Sequence, residues 1–207
     1  MTSFARSERA RLCDLALQVG PNAPTLCGEW TVRELVAHLV VREHSLLAAG
    51  IVVPPLAGLT DRQTARTAKR PLPELVRKVR RGITPLALPV VDQLVNSAEY
   101  FVHHEDIRRA APSWEPRALS QADNEVLWRV VRTTGKGLAR PAGVPVVARD
   151  AATGATTTLV GGDAPVTISG PPGELVLFLF GRSQLRGVEL TGPPEAVDRL
   201  QRANLGI

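Results

Sequence analysis

The chain has 207 residues, 44% hydrophobic and 22% charged, which is enough apolar material for a real core as one large domain or two small ones. Its longest apolar runs, LVAHLVV and ELVLFLFG, fall far short of the ~20 residues that cross a bilayer, and MTSFARSERARLCDL carries arginines and carboxylates where a signal peptide would be apolar. A cytoplasmic protein with no membrane partner is expected. The net charge is +5, and its excess sits in residues 62–81, where eight cations face only Glu74 without a recognition motif or stacking aromatics. That pattern predicts a solvated helix face and no nucleic-acid partner.

Ser3 caps a first helix over about residues 4–18, stopped by Gly20-Pro21. Cys13 and Cys27 form no CxxC or finger spacing, so both are expected to be small buried hydrophobes. After the loop PNAPTLCGEW, Thr31 and Glu34 form a capping-box pattern that opens a second helix running to about Ala49. Leu35, His38, Leu39, Arg42 and Leu46 follow its helical repeat, which puts His38 on the apolar face. Residues 50–60 read as a loop, and 61–82 as helix broken at the prolines of Arg70-Pro71-Leu72-Pro73.

The stretch Asp92–Ala111 reads as one helix, with Leu94, Val95, Ala98, Phe101, Val102 and Ile107 at three- and four-residue intervals. Glu99 and His103 are then only ~40° apart around its axis, beside the apolar stripe. His104 and His44 fall off the main stripes of their helices. Ser120 opens a further helix that Gly135 to Gly137 are expected to end. After Pro141 the runs VPVVARD, ATTTLV and PVTISG predict strands, followed by a helix at 172–180, a strand GVELTG and a last helix. The fold class is therefore α+β: a helical domain over 1–140 and an α+β domain over 141–207.

A carboxylate and an imidazole at a core-facing edge need a partner, because desolvating them alone is costly. His38 from one helix, set against Glu99 and His103 from another, supplies two nitrogens and one carboxylate, the ligand count of an open zinc site. Zn, Ni or Fe would suit these donors, and Ca would not. Spacing alone leaves a buried network and a metal both open. Asp106, three residues beyond His103, either orients that imidazole through its second nitrogen or pairs with an arginine such as Arg109. Arg33 is a candidate anion contact at the start of the His38 helix, and Trp30 is expected to be a packing wedge.

The segments GEWTVRELVAHLVVRE and AEYFVHHEDIRRA resemble the two signature segments of the DinB-like metal-binding superfamily, in particular its mycothiol-dependent maleylpyruvate isomerase-like group. The opening SFARSERARLCDL and the closing ELVLFLFGR are similar to an actinobacterial metal-binding subfamily of unassigned activity. The resemblance implies an N-terminal four-helix bundle and a smaller C-terminal α+β domain. It also implies a divalent metal, zinc above all, on His38, Glu99 and His103, with His104 outside the ligand set.

Two functions follow from these residues. One is a metal-dependent thiol transferase or isomerase, with mycothiol as the thiol, an electrophile as the second substrate, and no protein cysteine required. The alternative is a non-catalytic metal- or small-ligand-binding protein whose C-terminal domain serves interaction. No acid–base catalytic residue is assigned in either.

Overall fold

The computed structural model describes residues 3–44, 57–82 and 89–206. By contacts the chain forms two compact units, Met1–Glu115 and Pro116–Ile207. Among the described residues there are eight α-helices and one four-stranded sheet, an α+β fold.

The first unit contains α1 (Phe4–Val19), α2 (Val32–His44), α3 (Ala57–Thr67), α4 (Leu72–Arg81) and α5 (Pro89–Arg108). Ser3 Oγ accepts from Arg6 N, as expected of a cap, and Gly20 ends α1 with φ of 88°. At α2 the capping box takes an acid-centred form: Glu34 Oε2 accepts both Thr31 N, at 2.7 Å, and the Thr31 hydroxyl, at 2.8 Å. Leu12, Cys13 and Ala16 of α1, Leu35, Val36 and Leu39 of α2, and Leu75, Val76 and Val79 of α4 form one buried core with Tyr100 and Ile107 of α5. The eight cations of 62–81 lie on the outer sides of α3 and α4 and in the turn between them, with Arg70 on Glu74 and Arg80 on Asp14. Residues 57–60, expected in a loop, belong to α3. Residues 45–49 and 50–56, expected as helix end and loop, lie outside the described residues.

The final turns of α5 are buried on nearly every side, from Ser97 to Ile107. Polar side chains there must find partners within the protein. Arg109 Nε donates to Glu105 Oε2 at 2.7 Å, and its guanidinium stacks 4.4 Å over the Trp114 ring. His104 is also enclosed, contrary to its expected place off the stripe, because Glu8 of α1 meets its Nδ1 at 2.9 Å.

The second unit contains α6 (Gln121–Ala139), a 3-10 turn at Arg140–Ala142, β1 (Val146–Asp150), β2 (Thr156–Val160), β3 (Val166–Gly170), α7 (Pro172–Leu179), β4 (Glu189–Thr191) and α8 (Pro194–Arg202). Sheet order is β2-β1-β3-β4, with β1 antiparallel to β2, parallel to β3, and β3 antiparallel to β4. Helix α6 does not stop at Gly135. That glycine lets the helix approach Leu159 and Leu179, whose methyls would stand 3.0 and 3.2 Å from an added Cβ. Because α6 packs on α7, β1 and β2, the units divide at Glu115/Pro116, whereas the sequence suggests 140/141.

Candidate metal centre

Helix α2 presents His38, and α5 presents Glu99 and His103 one turn apart. One donor atom from each of the three lies within 4.8 Å of the others. His103 Nε2 is 3.4 Å from Glu99 Oε2, and the two imidazole rings meet nearly edge-on at 5.4 Å. More than 60 positions of chain separate His38 from its partners, and the packing of the bundle brings them together.

The second nitrogen of His103 is committed. Asp106 Oδ2 lies 2.9 Å from Nδ1, and since a carboxylate only accepts, Nδ1 carries the proton. Asp106 therefore takes the imidazole; Arg109 goes to Glu105. With Nδ1–H engaged, Nε2 has a lone pair directed at a carboxylate, and the two repel unless a proton or another cation sits between them. Burial works against a charged His103, yet its hydrogen bonds to Asp106, Cys27 and Glu99 outweigh burial and raise its pKa well above the usual value. The place of that second proton is where a divalent ion would fit.

The other two members are in the ionisation states that a cation needs. Burial, then the positive charges on His103 and Arg42, lower His38 to about 4, against the pull of Glu99, so it is neutral at pH 7. Burial would raise Glu99, but the His103 hydrogen bond, Arg42 and His38 together lower it to about 2 and keep it anionic. Two neutral or displaceable nitrogens and one carboxylate suit zinc and similar borderline ions.

Two residues of this neighbourhood were not expected there. Arg42, one turn beyond His38, places Nε 3.4 Å from Glu99 Oε2 and donates from Nη1 to Asn96 Oδ1 at 2.8 Å. Its position on the His38 stripe was a signal, although a charged residue on such a stripe has many solvated readings. Cys27 is half-buried, unlike Cys13, and its Sγ–H donates to Asp106 Oδ2 at 2.9 Å. Cys27, His103 and Asp106 thus form a second close group of donor atoms. Nothing in the spacing of the cysteines hints at this, because the contact crosses 79 positions. Arg33 lies apart from these contacts: its Nη2 donates to Asn22 Oδ1 at 2.8 Å at the exposed mouth of the preceding loop.

Residues 5–93 match the family described as the mycothiol maleylpyruvate isomerase N-terminal domain. That stretch of the chain is thus similar to a known N-terminal domain family. The match takes in His38 and ends before Glu99. Two solved structures of the mycothiol-dependent maleylpyruvate isomerase, one of them a histidine-to-alanine mutant, share the fold across both units. Their TM-scores are 0.63 and 0.64, each at 15% identity over 92% of this chain and 96% of theirs. No curated protein matches the chain. Among the described residues, no helix is long and apolar enough to cross a membrane.

Proposed function

We propose that the protein binds one divalent ion, zinc by preference, through His38, Glu99 and His103, and uses it to activate a small thiol for transfer or isomerisation. The observation that carries this reading is the His103 Nε2–Glu99 Oε2 approach of 3.4 Å with Nδ1–H already spent on Asp106. Three protein ligands leave a fourth position for a non-protein atom. A bound ion there supplies a Lewis acid that favours the thiolate form of a thiol at neutral pH.

The protein's own side chains prepare that position. Glu99 brings the negative charge that offsets a cation, His38 is held unprotonated by burial, and Asp106 fixes the ring of His103. Arg42 helps to keep Glu99 ionised, while competing with a bound cation for its charge. Trp30, with its ring 5.2 Å from that of His38, shields the imidazole from water. Mycothiol is the thiol we favour, because the matching domain family and both structural neighbours carry its name. That thiol would place the protein in a cytoplasmic, actinobacterial setting.

The test begins with metal content in protein purified without chelator or nickel resin, where we expect about one ion per chain. Conjugation or isomerisation with mycothiol and a panel of electrophiles follows, in metal-loaded and metal-free protein. Activity that persists without metal would overturn the mechanism. Stoichiometric metal without activity toward any thiol would leave a metal-binding protein that is not an enzyme.

A further inference from the structure

The loop between α1 and α2 touches both imidazoles of the candidate site. At one end Cys27 Sγ–H donates to the same Asp106 oxygen that accepts His103 Nδ1–H, and the sulfur lies 3.7 Å from that nitrogen. At the other end Trp30 packs on His38 with its ring inclined at 45°. The loop is braced internally. Thr25 Oγ1 donates to Trp30 O at 2.7 Å and accepts from Cys27 N at 3.2 Å, while Trp30 N donates to Cys27 O at 3.1 Å. Leu26 N donates to Asp106 O at 3.0 Å, which ties the loop to α5 beside the carboxylate it serves.

Resting on the metal-centre reading, we propose that Cys27 is a positioning residue, whose thiol holds Asp106 so that His103 Nε2 points to His38 and Glu99. Distances decide between this role and direct ligation. Donors bound to one tetrahedral ion at about 2.0–2.3 Å stand roughly 3.3–3.6 Å apart. The His103–Asp106 separation of 2.9 Å is hydrogen-bond spacing, and Cys27 Sγ, also 2.9 Å from Asp106 Oδ2, stands closer to it than two ligands of one ion would, whereas His103 Nε2–Glu99 Oε2 at 3.4 Å has the spacing of two ligands. Asp106 has no solvent exposure, so bulk water cannot replace a donor lost from its oxygens. The thiol is a donor that a hydroxyl can replace and a methyl cannot.

The experiment compares full-length wild type with Cys27→Ala and Cys27→Ser, using zinc as the titrant and nitrogen-15-labelled histidine for NMR. Wild type and Cys27→Ser should show a His103 Nδ1–H resonance slow to exchange with water, with or without zinc. In Cys27→Ala that resonance should broaden or vanish, and zinc affinity should fall about tenfold, the usual effect of losing a group behind a metal ligand. If Cys27→Ala does not fold, Cys27→Val takes its place. Unchanged resonance and affinity in the variant without a donor would overturn the proposal. So would a sulfur-to-metal charge-transfer band in the cobalt-loaded wild type that disappears in Cys27→Ala, since Cys27 would then be a ligand. Wild type that binds no zinc would sink the metal centre, and the Nδ1–H resonance alone would then decide whether Cys27 holds His103.

Discussion

Adjacent residues on a helix point ~100° apart, which is why His103 faces Glu99 and Asp106 while His104 turns to Glu8 on α1. His103→Ala should therefore abolish stoichiometric metal, and His104→Ala should keep most of it. The second change has another cost. It strips a partner from the fully buried Glu8 carboxylate and should destabilise the fold by about 1–3 kcal/mol. Metal analysis beside urea denaturation separates the two outcomes, and equal metal loss would refute the assignment. Cys13 makes a prediction in pH. Burial raises its thiol to about 12, so the folded state keeps the proton after the unfolded chain has begun to lose it near 9. Its contribution is complete below pH 9 and declines by at most about 1.4 kcal/mol per pH unit as pH rises toward 12. Urea titrations from pH 8 to 11 should show a shallower decline in Cys13→Ala than in wild type. The convergence of His38, Glu99 and His103 was legible because periodicity put each on an inward face. Cys27 and Arg42 were not, since their partners are chosen by packing across dozens of positions.

Helix boundaries followed the sequence wherever a side chain makes the cap. Ser3, Ser120 and Glu34 each satisfy a first-turn or cap N–H, as their types and spacing predict. The two glycines of α6 misled in the other direction. A helix tolerates Gly at a cost of about 1 kcal/mol when packing repays it, and Gly135 is where α6 meets Leu159 and Leu179. Gly137 has nothing within 4 Å of an added Cβ. Gly137→Ala should thus stabilise the protein by about 0.5–1 kcal/mol. Gly135→Ala should gain clearly less, as the same propensity is opposed by crowding. Thermal unfolding of the pair checks the order; a larger gain at 135 would mean that the leucines yield.

For the molecule as a whole, the α+β class was visible in the change from helical to alternating periodicity after Pro141. The division of units was harder to see. Ownership of α6 depends on what its apolar stripe packs against, and Leu127, Val130 and Val131 look the same whether they cover a helix or a sheet. The candidate ligands all lie in the first unit, so zinc should slow hydrogen exchange in α2 and α5 in proportion to its free concentration. Amides of β1, β2 and β3 should change little. Equal protection in both units would show that the ion is held elsewhere.

The crowding of α5 has a consequence for redesign. From His103 to Asp106 each side chain is already engaged: His103 by Glu99 and Asp106, His104 by Glu8 of α1, Glu105 by two arginines, and Asp106 by His103 and Cys27. A new donor placed there would orphan an old one. Tuning ion affinity is therefore a task for α2, where Arg42 offers a cation that can be removed. Arg42→Gln lifts a positive charge from beside Glu99 and should tighten divalent-ion binding roughly tenfold, about 1.4 kcal/mol, measurable by competition with a chromophoric chelator.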